Sequence, residues 1–345
     1  MENEKSLIFS QSPLCPLAAD VISDGQSIYM YVYDLDFESE RLIAHSGCWI
    51  KNLVDAKERF EPDEMLEGVQ PVLPKCYCEE HDHVEWLSPA LEIVWSPSGE
   101  TAGLYHDDEL ICVMPYRKNQ NSSGFSKYVK ENSLAAMKME EGRRYIEDVE
   151  KGKQFWKQEF NLEWKTYNNS FFENLNDYFG KAKQCFDLNK DEFPTRLLLT
   201  FEKENICYGV SIGCGMFPMP QGLTCYESMM EAKAEYIIAT DQAHFDEKQR
   251  LDLYASLAGL CGVPWHTISC VAHGHTLDMK IKEYPYAIVI DDACMKHPIP
   301  LDIKKDGVHL LWIAGISQQE FEDAHDKVKR EALIKHICET KRYIM

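Results

Sequence analysis

A chain of 345 residues, 45% apolar and 27% charged, has an ordinary globular composition, long enough for two domains or one large one with a real core. Its longest apolar stretches, VHLLWIAGI and YAIVI, are too short to cross a bilayer, and MENEKSLIFSQSP lacks the pattern of a secretory signal, so a cytoplasmic protein with no membrane partner is expected. The formal charge of −21 is concentrated in residues 1–150, where 29 acidic residues face 13 basic ones; it opposes nucleic-acid binding, favours a cationic partner, and also serves solubility.

The first region reads as short strands separated by turns. SIYMYVYDLDF alternates aromatic and β-branched residues, RLIAHSGCWI is a second strand, and LEIVWSPSGETAGLYHDDELICVMP predicts three strands joined by Pro-Ser-Gly and Asp-Asp turns. From Met137 the pattern turns helical. EEGRRYIEDVEKGKQFWKQEF spaces Tyr145, Val149, Phe155, Trp156 and Phe160 near a helical period, and NSFFENLNDYFGKAKQCF places Phe171, Leu175, Tyr178 and Phe179 on one stripe ahead of Gly180. These helices are expected to join two lobes. The last region alternates strands and helices: TRLLLTF, ICYGVSIG, AEYIIAT, YAIVIDD and VHLLWIAGI read as strands. DEKQRLDLYASLAGLCG reads as a helix with an Asp246/Gln249 capping box, an apolar stripe of Leu251, Tyr254, Ala258 and Cys261, and a stop at Gly262 and Pro264. A second box, Ser317 with Glu320, opens a helix whose Phe321, Ala324 and Val328 are expected to face inward. The expected fold is α+β, with an acidic antiparallel β-rich domain over 1–136, connecting helices over 137–186, and a mixed α/β domain over 187–345.

Thirteen cysteines spread through predicted strands and helices read as reduced, mostly buried thiols. Cys207, Cys214 and Cys225 fit the same packing role. In CYCEEHDH, Cys76, Cys78, His81 and His83 offer zinc-type ligands, yet close neighbours on an extended chain point to opposite sides, and a polar surface loop is the preferred reading. HGHT, with His273 and His275 about Gly274, offers two ligands or a catalytic imidazole, but no nearby motif supplies a nucleophile or an orienting carboxylate, and a turn made possible by glycine is preferred. Gly213 and Gly215 in SIGCGMFPMP form no GxGxxG, no Walker lysine follows, and two prolines come soon after, so no phosphate cofactor is expected. The run DLDFESE sets Asp34, Asp36, Glu38 and Glu40 at alternate positions; one strand face would carry all four, as a comb for a partner's lysines and arginines or as a charged, solvated strand edge.

The order of landmarks from Phe193 to Glu320 carries a resemblance. FPTRLLLTFEKENICYGVSIGCGMFPMP, AEYIIATD, DLYASLAGLCGVPWH, HGHT and VHLLWIAGISQQE are similar, in that order, to the suppressor-of-fused domain family. CWIKNLVDAKE, MLEGVQPVLP and IVWSPSGETAGLYHDDELICVMPY resemble the domain that precedes it in bacterial proteins of this type. The resemblance implies a protein-binding scaffold with no catalytic residues, cofactor or metal, of the immunity or antitoxin kind, whose partner is a protein such as a basic toxin. Two other readings remain open: a regulatory adaptor that sequesters a partner protein, and a metal-dependent or thiol enzyme using Cys76, Cys78, His81 and His83 or the HGHT turn.

Overall fold

The computed structural model describes residues 4–36, 41–59, 70–79, 82–116, 123–189, 193–279, 284–303 and 307–345. The chain is α+β and divides into two compact units, Met1–Gln158 and Glu159–Met345.

Unit 1 holds two sheets. The first runs β1 (Lys5–Gln11), β2 (Leu17–Ser23), β3 (Ser27–Asp36) and β4 (Arg41–Asn52) in sequence order, all antiparallel. β1 and β2 have no counterpart in the sequence reading, because LAADVIS carries Ala18, Ala19 and Asp20, residues depleted in strands. On β3 the alternation is strict: Met30 and Val32 are fully buried, while Tyr29, Tyr31 and Tyr33 form a ladder on the other face with ring centroids 6.0 and 6.1 Å apart. Burial pushes the Tyr33 phenol up to about 12. Gly47 pairs with Tyr31 and leaves room for the ring; a Cβ there would lie 2.7 Å from it. At the far end of β4, Lys51 is buried. Its ammonium binds the Asp82 carboxylate and the Val84 carbonyl (3.0 Å) and lies 5.0 Å from the centre of the Trp86 ring, which stacks on His106.

The second sheet of unit 1 runs β5 (Leu91–Trp95), β6 (Thr101–His106), β7 (Glu109–Pro115), β8 (Phe125–Ser126) and β9 (Met137–Lys138). Asp107 and Asp108 turn β6 into β7 with φ of 47° and 68°, the left-handed pair that a two-residue hairpin requires. Helix α1 (Arg143–Phe155) lies on this sheet, where Val149 joins Val94, Tyr105 and Val113 in one apolar cluster. The helix approaches so closely at Gly152 that a Cβ would overlap the Trp95 carbonyl oxygen.

Unit 2 begins with α2 (Phe160–Phe179), which buries Phe171, Leu175 and Phe179 and ends at Gly180. Its sheet contains β10 (Gln184–Asp187), β11 (Leu197–Lys203), β12 (Ile206–Ile212), β13 (Lys233–Asp241), β14 (Thr276–Asp278), β15 (Tyr286–Asp291) and β16 (Val308–Ile316). Their spatial order is β10-β11-β12-β13-β16-β15-β14, and only β13 and β16 run parallel. The helices that follow are α3 (Glu247–Leu260), the single turn α4 (Val263–His266), α5 (Gln318–Asp323) and α6 (Lys327–Thr340). Side chains of α2 and of α6 (Ile334, Ile337) pack with Val210, Ile212, Ile237 and Ala239; on the opposite face, α3 lays Tyr254 against Gly209.

Both expected capping boxes form. The buried stripe of α3 is displaced from the expected one: Leu253, Tyr254, Leu257 and Leu260 are inside, while Leu251 is 43% exposed. The last helical segment is two helices, because Asp326 caps a fresh start by accepting the Lys329 N–H, and the rotation this introduces leaves Val328 75% exposed. Glu320 does double duty, capping α5 and receiving both terminal nitrogens of Arg342 at 2.7 and 3.1 Å. That guanidinium holds the Glu320 carboxyl at about 2, against an ordinary 4.5. A depressed carboxyl pKa contributes stability above the unfolded value that disappears as pH falls through the folded one. Glu320→Gln is therefore expected to lower the urea midpoint most above about pH 5, with the gap from wild type closing toward pH 2.

Candidate functional site

The zinc-type residues of CYCEEHDH in unit 1 are split by their own backbone. Cys76 is exposed, whereas Cys78 is buried with its thiol toward the carbonyls of Leu73 and Pro74 at 3.6 and 3.5 Å. His83 sits on the outside, 4.0 Å from the Asp55 carboxylate, and His81 lies outside the described residues. Among the described residues no three His, Cys, Asp or Glu side chains gather into a group able to hold a metal ion. Of the acidic run, Asp34 is half-buried near the end of β3, on the strand face that carries Met30 and Val32. Asp36 is the last residue of β3; its side chain, and Glu38 and Glu40, lie outside the described residues. All thirteen cysteines are free thiols and most are buried, Cys207 and Cys214 among them, but Cys225, expected to pack in the same way, is exposed.

The glycine turn after β12 is an anion cradle filled from within. The Gly213 and Gly215 amides donate to the Glu235 carboxylate at 2.8 and 2.9 Å, the Ser211 hydroxyl at 2.5 Å and the Tyr167 hydroxyl at 2.8 Å. Successive amides of such a turn make a natural concavity for negative charge. Here the charge belongs to a fully buried side chain of β13. Burial pushes the Glu235 carboxyl upward, against the four hydrogen bonds that favour its ionised form. Removing the carboxylate strands four donors in the interior. Glu235→Ala is expected to cost about 3 kcal/mol or more in urea unfolding.

At one end of the same sheet the HGHT turn meets residues distant in sequence. Gly274 has φ of 83°, which accounts for glycine between the two histidines. His275 turns Nε2 toward Cys225 Sγ at 3.7 Å, while its Nδ1 accepts the Ala272 N–H at 3.3 Å. His273 Nδ1 accepts the Asp291 N–H at 3.1 Å. Asp291, at the end of β15, takes a 2.6 Å hydrogen bond from Nδ1 of His309 on β16, and the Tyr226 ring lies 4.9 Å from that imidazole. Both turn histidines reach the surface, yet partial burial pulls their pKa values below the ordinary range. Burial alone would raise Asp291; the hydrogen bonds from His309 and the Ala293 N–H, with the charges of the His309 and His273 rings, together outweigh it and hold the carboxyl below its usual value. Sequence reasoning missed Cys225, Asp291 and His309 as members of this group. The available signal was that Asp291 ends one strand and His309 begins its antiparallel neighbour, which brings them to the same sheet end.

The wiring decides the chemistry. A thiol is activated by an imidazole whose facing nitrogen is unprotonated and whose far N–H is held by an acceptor. The far side of the His275 ring meets backbone groups, at Ala272 and Cys270, rather than a carboxylate. The orienting carboxylate, Asp291, serves a different ring, His309. The alkylation rate of Cys225 with iodoacetamide at pH 7 is accordingly expected to change by less than about threefold in His275→Ala, whereas an activated pair would lose tenfold or more.

No helix among the described residues is long and apolar enough to cross a membrane. No protein-family model, curated protein or solved structure matches the chain.

Proposed function

We propose that this chain is a non-enzymatic binding protein of the immunity or antitoxin kind, which neutralises a basic partner protein by covering it. The observation that carries this reading is charge: a formal −21, with 29 acidic against 13 basic residues in the first 150. Such a field speeds encounter with a cationic surface and rejects acidic competitors, while affinity comes from buried contacts once the surfaces meet. The resemblance of the Phe193–Glu320 landmarks to suppressor-of-fused domains supports the same conclusion. So does the separation at the sheet end of the imidazole bound to a carboxylate, His309, from the one beside Cys225, His275.

The test is co-expression with the product of the adjacent reading frame. A stoichiometric complex is expected, together with relief of any growth arrest caused by that product alone. Its association rate should fall about tenfold or more between 50 and 500 mM salt, as a steered encounter does. A partner that elutes separately and remains toxic, or a rate indifferent to salt, defeats the proposal.

A further inference from the structure

α3 and β14 wall an open groove of about 990 Å³ in unit 2. Asp252, Ala255 and Gly259 line it from the helix, and Thr276, Leu277 and Asp278 line it from the strand. The helix side is low: a Cβ on Gly259 would meet no atom within 4 Å. The strand side is the last strand of the sheet, paired among the described residues with β15 alone. The Val289 N–H donates to the His275 carbonyl at 2.8 Å and the Met279 N–H donates to the Pro285 carbonyl at 2.9 Å. Antiparallel hydrogen bonding alternates along a strand, so residues 275, 277 and 279 face β15 and the amide and carbonyl of Thr276 turn toward the groove. A sheet edge beside an open trough is the arrangement by which extended peptides are bound as added strands.

Charge selects the occupant. Among the described residues, Asp246, Asp252 and Asp278 stand on the groove against one cation, Lys248. A second copy of the chain would bring its own −21 to an edge that is already acidic, which disfavours self-pairing. We propose that this groove binds an extended, lysine- or arginine-bearing segment of a partner protein as an additional strand on β14. The proposal rests on the binding reading above and assigns it a place.

The probe is a fluorescein-labelled nine-residue peptide alternating lysine and valine, compared with its glutamate counterpart and with a lysine peptide N-methylated along one edge. Saturable binding of the lysine peptide is expected, with slowed amide exchange over residues 274–279. The glutamate and N-methylated peptides should bind at least about tenfold more weakly, because one reverses the charge and the other removes the strand hydrogen bonds. Gly259→Phe fills the trough and should weaken the lysine peptide by a similar factor. Gly259→Ala leaves the trough open and should bind as wild type does, and Asp252→Lys tests the same site should Gly259→Phe fail to fold. Equal binding of the methylated peptide, unchanged exchange at 274–279, or no binding of the lysine peptide overturns the groove. If the neighbouring gene's product is captured equally by wild type and Gly259→Phe, the binding reading stands and the groove is overturned; if wild type captures nothing, the binding reading falls while the peptide titration still judges the groove.

Discussion

Four donors from three parts of unit 2 converge on the carboxylate of Glu235, and the arrangement of that unit turns on this contact. Tyr167 comes from α2, Ser211 from β12, and the amides of Gly213 and Gly215 from the turn that follows. An isolated carboxylate in a protein interior is strongly disfavoured, and an unsatisfied amide nearly as unwelcome. Each group is tolerable only because the others are present. The contact therefore fixes the helix, the strand and the turn to β13 together, and it gives the two glycines a structural use that any competing external anion would have to displace. It also explains why a glycine-rich turn in a sheet of this kind need not signal a nucleotide.

The legible parts of the fold were those in which one local rule suffices. Asp246 with Gln249 and Ser317 with Glu320 announce helix starts through side-chain chemistry confined to four residues, and both boxes form. The hairpin at Asp107 and Asp108 is local in the same sense. What escaped was set by tertiary neighbours. β2 is a strand despite its alanines because β1 and β3 flank it, and the buried stripe of α3 is chosen by the sheet beneath it, which admits Leu253 and Leu257 and excludes Leu251. The break before α6 was in principle visible in Asp326, whose capping role was hidden inside a continuous helical period.

The candidate site shows the same division. HGHT stood out in sequence, and its glycine behaves as a turn glycine should. Its partners did not stand out, because Asp291 and His309 are brought there by strand order and Cys225 by the connection between β12 and β13. The imidazole oriented by a carboxylate and the imidazole touching a thiol are different rings.

Lys51 has a consequence for the loop that covers it. Its ammonium is almost wholly withdrawn from solvent, and what compensates it comes from one short stretch: the carboxylate of Asp82, the carbonyl of Val84 and the indole of Trp86. Peeling that stretch away would abandon a cation in a medium that solvates it poorly, so the loop is clamped by electrostatics although Val84 and Leu87 project into water. Local fraying there should be rare, and the cover and the strand end beneath it should open as a single cooperative element.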